Sequence, residues 1–387
     1  MRLFHDGRRA RVALAGSGYI SAGLLRVLSS FDDVTVTAVL TGRDPGRDHE
    51  YPRADLLVRG IDDLVDGCDL VVECSGGVSR AMRVVAAAFT AGLPVVTVNA
   101  EFQVTVGHLF TSRGLLTEAD GDQPGALAAL AEEITAMGFR PVVYGNIKTF
   151  LDTNPSTDAM RRQAALHGIS RQQVTSFTDG TKLHVELALV ANGLGATIAP
   201  EGPRGVHGTD LTACCTTLAD IAAGIGAPIS DYCMPGHTDR HVFITATHPD
   251  PAVGELAHYK LGPGPLYTFT RDRHLGHFEV PRTIRRVLDT GQPLINNGTA
   301  PTVSVAAVAK SAVPAGTYVA SAVGSGLFRG VAVPAAEHPD LLPIGLIEGA
   351  VLRRDIAEGM FVTVDDVDLD DTLAGQLAGH AVGGIVR

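Results

Sequence analysis

Several groups of residues have the types and spacing that chemistry needs. Gly16-Ser-Gly18-Tyr19-Ile20-Ser21 is a G-x-G-x-x-S run. Its first glycine permits a tight turn, and its second lets backbone approach a pyrophosphate that a following helix N-terminus would bind. Ser21 stands in place of the third glycine, which predicts slightly looser helix–strand packing there. The alternative is an ordinary glycine turn. Farther on, Lys182 and Glu186 are the only formal charges between Thr181 and Leu194, and four residues apart they share one helical face. Around them, apolar residues at 183, 185, 187, 189, 190 and 194 leave no solvent face, so the helix reads as buried. Burying two charges is costly unless they pair or face a polar cavity, such as a substrate pocket at a domain junction. Lys182 could then protonate a carbonyl oxygen as hydride arrives, since burial disfavours the charged ammonium and moves it toward proton-transfer chemistry. The bland alternative is a structural Lys182–Glu186 bridge.

Other candidates are less specific. Asp120 and Asp122 precede a helix predicted over Ala126–Met137, where Asp122 could cap the helix, or Asp120 or Asp122 could lie beside a nicotinamide and orient substrate hydroxyls or Lys182. Lys148 is a second cation, with a surface lysine as the alternative. His274 and His277, with Glu279 near, invite a zinc reading, but no third ligand has metal spacing, so hydrogen-bonded structural histidines are expected and no metal. Cys214 and Cys215 read as small apolar residues of a helix.

The elements that must position these groups alternate strand and helix. Arg11–Ala15, Val34–Leu40, Asp69–Val72 and Val95–Val98 are short apolar runs of the kind buried parallel strands show. A helix follows the glycine run, with Ile20, Leu24, Val27 and Leu28 at helical spacing, and another spans Ser79–Ala91. This rhythm predicts an α/β fold with a doubly wound parallel sheet of Rossmann type, whose ligand sits beyond the strand C-termini. Gly16, Gly18, Tyr19, Ile20, Thr41, Arg43, Ser75, Gly76 and Asn99 fall at those ends and form the candidate cofactor-binding set. An acidic residue after the second strand would hold a ribose 2′-hydroxyl, whereas an arginine accommodates a 2′-phosphate. Thr41 occupies the acidic place and Arg43 follows, so NADP is preferred, with NAD the alternative.

Composition narrows the class. The 387 residues suggest two or three domains. Thirty-one basic against 42 acidic residues give a net charge of −11, which argues against nucleic acid as a partner. Apolar residues at 45% exclude a wholly disordered chain. Five cysteines without a C-x-x-C pair suit a reduced, cytoplasmic protein rather than a disulfide framework. The longest apolar stretch, Val84 to Ala100, is broken by Gly92 and Pro94, so no membrane span is expected.

GSGYIS, ECSGG (Glu73–Gly77), VVTVNAE (Val95–Glu101), TEADGDQPGAL (Thr117–Leu127) and YGNIK (Tyr144–Lys148) run in the order found in homoserine dehydrogenase. SFTDGTKLHVELALVANGLG (Ser176–Gly195) and RHLGHFEVP (Arg273–Pro281) resemble the homoserine-dehydrogenase-like oxidoreductases that carry a C-terminal SAF domain. The resemblance implies a dinucleotide-binding domain over 1–145, an α+β substrate and dimerisation domain over 146–300, and a small β-rich SAF-like (β-clip) domain over 301–387. It also implies a homo-oligomer, dimer or tetramer. Arg353 to Gly359 followed by Asp365-Asp-Val carries the SAF likeness, and the acidic run Asp365–Asp371 reads as a solvated face. In the family a lysine follows the strand-end asparagine, whereas Ala100 and Glu101 follow Asn99 here. The resemblance therefore implies hydride transfer on a small hydroxylated acid, amino acid or sugar-derived polyol other than homoserine. The family also places a key lysine on a helix after an aspartate, which matches Asp179 and Lys182. The candidate catalytic set is Lys182, Asp179, Glu186, Asp122 and Lys148. Two other readings are an epimerase or lyase that oxidises transiently on a retained cofactor, and a nucleotide-sensing binding protein.

Overall fold

The computed structural model describes residues 8–236, 238, 240–249 and 253–369. Packing divides the chain into two compact units: the chain up to Gly125 with His274–Thr299, and Ala126–Arg273 with the chain from Ala300 onward. The expected segment 146–300 is thus shared, its last stretch returning to the first unit, and the C-terminal region groups with the second. His237 and the end of the acidic run lie outside the described residues.

In the first unit, β1 (Ala10–Ala15), β2 (Val34–Leu40), β3 (Leu57–Val58), β4 (Leu70–Glu73), β5 (Val95–Thr97) and β6 (Leu116–Glu118) form one sheet in the order 3-2-1-4-5-6. Every pairing is parallel. Val12 to Ala15 are fully buried, as a central parallel strand covered on both faces must be. Between the strands run α1 (Tyr19–Leu28), α2 (Ile61–Val65) and α3 (Val78–Thr90). Leu24, Leu25 and Leu28 of α1 enter a core that also holds Val280, Ile284 and Val287. Those three, at i, i+4 and i+7 of the Val280–Thr290 helix, are the physical reason the chain returns to this unit. Full burial of each is worth roughly 1.5–3 kcal/mol. Arg285 clasps Asp33 with two bonds of 3.0 Å, fixing the helix further.

The second unit centres on a mixed sheet ordered β11-β10-β7-β9-β8. Its strands are β7 (Arg140–Ile147), β8 (Val206–His207), β9 (Ile229–Met234), β10 (Val242–Thr247) and β11 (Leu266–Arg271). The helices are α4 (Gln123–Ala136), α5 (Thr157–His167), α6 (Arg171–Thr178), α7 (Thr181–Leu194) and α8 (Leu211–Ile225). Cys214 and Cys215 lie in α8, buried with free thiols.

Helix α7 has the bounds its pattern predicts, opening after Gly180 and stopping at the left-handed Gly195. One side packs on the sheet, where Val190 meets Tyr144 and Ile244. The other is covered by the antiparallel pair β12 (Val303–Ala309) and β13 (Phe328–Pro334). Polar bonds pin that cover: Gly330 N donates to Thr181 Oγ1 at 2.9 Å, and Asn192 Oδ1 accepts from Val303 N at 2.9 Å. This docking places the C-terminal region with the second unit. Beyond it, β14 (Val351–Leu352) pairs with β15 (Val367–Asp368), so the region is β-rich as expected. Within the acidic run Asp366 is buried, not solvated. It accepts from Thr363 N at 2.7 Å and pairs with Arg354.

Two consequences are measurable. Asp179 and Lys310 form a fully buried ion pair at 2.5 Å. Lys310→Ala strands the carboxylate and should cost about 3–5 kcal/mol in urea unfolding, whereas the double change Asp179→Leu with Lys310→Met should recover most of that loss. His184 Nδ1 accepts from Ala332 N at 3.1 Å, and burial pushes its pKa down to about 4. Its contribution to stability is therefore complete above about 6.5, the unfolded value, and lost as pH falls toward 4. His184→Asn, which keeps an acceptor, should flatten the denaturation midpoint across that window.

Candidate functional site

The glycine run forms the turn between β1 and α1. Gly16 has φ of +119°, and a side chain there would press to 2.6 Å from Cys74 O. The turn thus lies directly on the end of β4. Gly18, the N-cap of α1, has open space where a Cβ would point, and no side chain caps the helix. Uncapped N–H groups beside an open glycine suit a pyrophosphate, so the residues present fit a dinucleotide. Ser21 leaves no looseness: it is buried and its hydroxyl pairs with Tyr51 OH at 2.7 Å. Tyr19 is exposed on the first turn and meets the His277 ring edge-on at 5.9 Å. That ring packs on Gly23, where any Cβ would lie 2.5 Å from it. His277 is thus an aromatic packing element of α1, and among the described residues no three possible ligands cluster for a metal.

At the end of β2, Thr41 Oγ1 and Ser17 Oγ are 2.8 Å apart. Arg43 reaches back over the glycine run, donating to Ser17 O at 2.6 Å. At the ends of β4 and β5 a buried carboxylate organises two loops. Glu73 accepts from Ser75 N at 2.8 Å, Ser75 Oγ at 2.6 Å and Thr97 Oγ1 at 2.8 Å. Thr97 Oγ1 in turn accepts from Asn99 N at 3.1 Å, and Asn99 Oδ1 from Phe102 N at 3.0 Å. Gly76 follows Ser75 with φ of +67°. Ser75 and Asn99 thus shape the loops through Glu73, which the sequence reading quoted in a motif but did not single out. Ile20 lies one residue into α1, half-buried.

In the second unit, β7 and α7 bring four side chains together. Lys182 Nζ lies 3.8 Å from Glu186 Oε1, and Lys148 Nζ lies 4.0 Å from Glu186 Oε2. Asn146 Nδ2 donates to Glu186 Oε2 at 3.0 Å. Glu186 and Asn146 are essentially inaccessible, and Lys182 is nearly so. Asn146 Oδ1 is buried with no hydrogen-bond partner among the described residues. An orphan acceptor beside two ammonium groups suits a ligand hydroxyl better than a sealed core. Asn146 was missed as a site residue, although the period of two along a strand puts it beside Lys148.

Asp179 and Asp122 have partners of their own. The Asp179 carboxylate is held by Lys310 Nζ and by Thr181 N at 2.9 Å, so it anchors the start of α7. Asp122, half-buried in the first unit, accepts from Gln123 N at 3.0 Å at the start of α4. Next to it Asp120 pairs with Arg282 at 2.7 Å and Gly121 packs on Gly276, where a Cβ would meet the carbonyl at 2.2 Å.

Residues 16–111 match the NAD-binding domain of homoserine dehydrogenase, and residues 121–280 match the catalytic domain of oxidoreductase DRL. No curated protein matches the chain. Among solved structures it is similar to a probable dehydrogenase from Thermotoga maritima, at 12% identity and a TM-score of 0.42, over 73% of this chain and 90% of that one. GenD2 of gentamicin A biosynthesis, solved with NAD, gives 13%, 0.42, 76% and 90%. A putative myo-inositol dehydrogenase from Sinorhizobium meliloti gives 12%, 0.36, 73% and 90%. Neither family match reaches the C-terminal region, and no described helix is long and apolar enough to cross a membrane.

Burial raises the pKa of Glu73 above the usual carboxylate range, against the hydrogen bonds from Ser75 and Thr97. The fold therefore binds its proton more tightly than the unfolded chain does, and this contribution is lost as pH rises through the raised pKa. Glu73→Gln should remove that pH slope and keep dinucleotide affinity in calorimetric titration. Glu73→Ala leaves three donors unmatched and should cost about 2 kcal/mol or more, with weaker dinucleotide binding.

Proposed function

We propose that this dinucleotide-dependent oxidoreductase prefers NADP and acts on a small hydroxylated acid, with an amino acid or sugar-derived polyol as wider members of the class. The observation that carries the reading is the cluster of Lys182, Lys148, Asn146 and Glu186. Bound NADP supplies or takes the hydride. Lys182, as the ammonium, gives its proton to the carbonyl oxygen on reduction; as the neutral amine it takes the hydroxyl proton on oxidation. Glu186 keeps the ammonium oriented through its Oε1 and is itself held by Asn146. Lys148 Nζ, 4.0 Å from Glu186 Oε2, is a second ammonium that a substrate carboxylate would meet. This favours an acid over a neutral polyol, and Lys148 is the cation assigned to that carboxylate. Asn146 Oδ1 is free to accept from a neighbouring substrate hydroxyl. Arg43 at the end of β2 supports NADP over NAD.

The test is a screen of hydroxy acids, amino acids and polyols, with their carbonyl counterparts, followed at the nicotinamide absorbance. Lys182→Met should lower kcat by about 10²-fold or more and leave NADPH affinity within twofold. Turnover at the wild-type rate by Lys182→Met would remove the lysine from the chemistry. Lys148→Ala should raise KM for an acid by roughly 10- to 100-fold with a small change in kcat, and should barely change KM for a polyol.

A further inference from the structure

Arg80, on the first turn of α3, is an exposed residue whose guanidinium is not idle in space. Its two terminal nitrogens lie 3.5 Å, and its central carbon 3.7 Å, from where a Cβ on Gly42 would stand. The guanidinium therefore lies where a side chain on Gly42 would just touch it, close to the end of β2. Arg43, the next residue after Gly42, places its own guanidinium on Ser17 O, with Nε at 3.1 Å. Two guanidinium groups thus lie near the end of β2, with the paired hydroxyls of Ser17 and Thr41.

The nearby acids are shared with or held by other groups, and none pairs with Arg80 among the described residues. Glu50 is clasped by Arg47 at 2.7 and 2.8 Å and reaches Arg43 only at 3.4 Å. Asp48 pairs with Arg59 at 2.6 Å, and Asp44 accepts from Gly46 N at 2.9 Å. Arg80 has no carboxylate within ion-pair distance among the described residues. A cation held near a strand end without an anion, next to a second one, is short of one negative group. Guanidinium forks from two directions match the oxygens of a phosphate monoester.

We propose that Arg80 and Arg43 together clamp the 2′-phosphate of NADP, Arg80 entering from α3 and Arg43 from the β2 loop. This rests on the NADP preference proposed above and adds the residue that completes it.

Calorimetric titration of the full chain with NADPH, NADH, 2′,5′-ADP and 5′-AMP tests the clamp. Arg80→Ala should weaken NADPH and 2′,5′-ADP by about tenfold or more while NADH and 5′-AMP shift less than twofold. Arg80→Lys should recover part of the loss, as a point charge without the fork. Losses from Arg80→Ala and Arg43→Ala should be non-additive, because both act on one phosphate. An equal loss for phosphorylated and unphosphorylated ligands would overturn the clamp and make Arg80 an adenine-stacking residue. No change for any ligand would overturn it too. Wild-type protein that binds NADH as tightly as NADPH would defeat the cofactor preference itself, whereas a preference that survives Arg80→Ala would defeat only the role of Arg80.

Discussion

A helix covered on both sides has no face on which to leave a charge. Helix α7 lies on the mixed sheet and under the β12–β13 pair, and it still carries Lys182 and Glu186. Desolvating each ion costs several kcal/mol, which neighbours must offset. Glu186 is met by Lys182, Lys148 and Asn146, at distances from 3.0 to 4.0 Å. The two ammonium contacts, at 3.8 and 4.0 Å, are longer than the tight 2.5 Å pair of Asp179 with Lys310 in the same unit. The contrast separates two uses of buried charge. One pair is closed and locks the start of the helix to the strand pair above it. The other cluster holds looser contacts and the orphan carbonyl oxygen of Asn146, a condition in which a polar ligand is recognised.

The nucleotide unit follows another constraint, the crowding of loops at the C-terminal ends of parallel strands. Gly16 is pressed on the end of β4, so the pyrophosphate turn and the loop after β4 cannot move independently. Glu73 ties the same loop to β5 through Ser75 and Thr97. A carboxylate with three donors in a fully buried position is a stiff bracket, and stiffness here keeps Asn99 and the glycine turn in one arrangement for a cofactor. Ser21 shows the same economy. Its hydroxyl fills the slot of a missing glycine by bonding Tyr51, so packing stays close despite the extra atom.

Much of the fold was legible because its signals are local. Apolar runs of four to seven residues, glycine turns and a helix apolar all round depend on neighbours in sequence, and these elements form where their patterns place them. Half of the Lys182 cluster was legible for the same reason: Lys182 and Glu186 are four residues apart on one helix. Asn146 and Lys148 share a strand face by the period of two, a signal present but not used. Asp179 enters the candidate set only through the family likeness, which names no partner for its carboxylate. Its actual partner is Lys310, 131 residues away, and nothing near Asp179 in sequence announces it.

By itself, the sequence determined the parallel nucleotide-binding sheet, the pyrophosphate turn and the buried helix with its two charges, since each follows from short-range sterics and periodicity. Only the tertiary structure decided that the Val280–Thr290 helix returns to the first unit, that β12 and β13 cover α7, and that Lys148 and Asn146 meet Glu186. It also decided that Arg80 lies close to Gly42. These outcomes depend on which surfaces close over one another across long stretches of chain. Burial of matching apolar faces selects those pairings, and a sequence pattern shows that a face must be covered without showing by what.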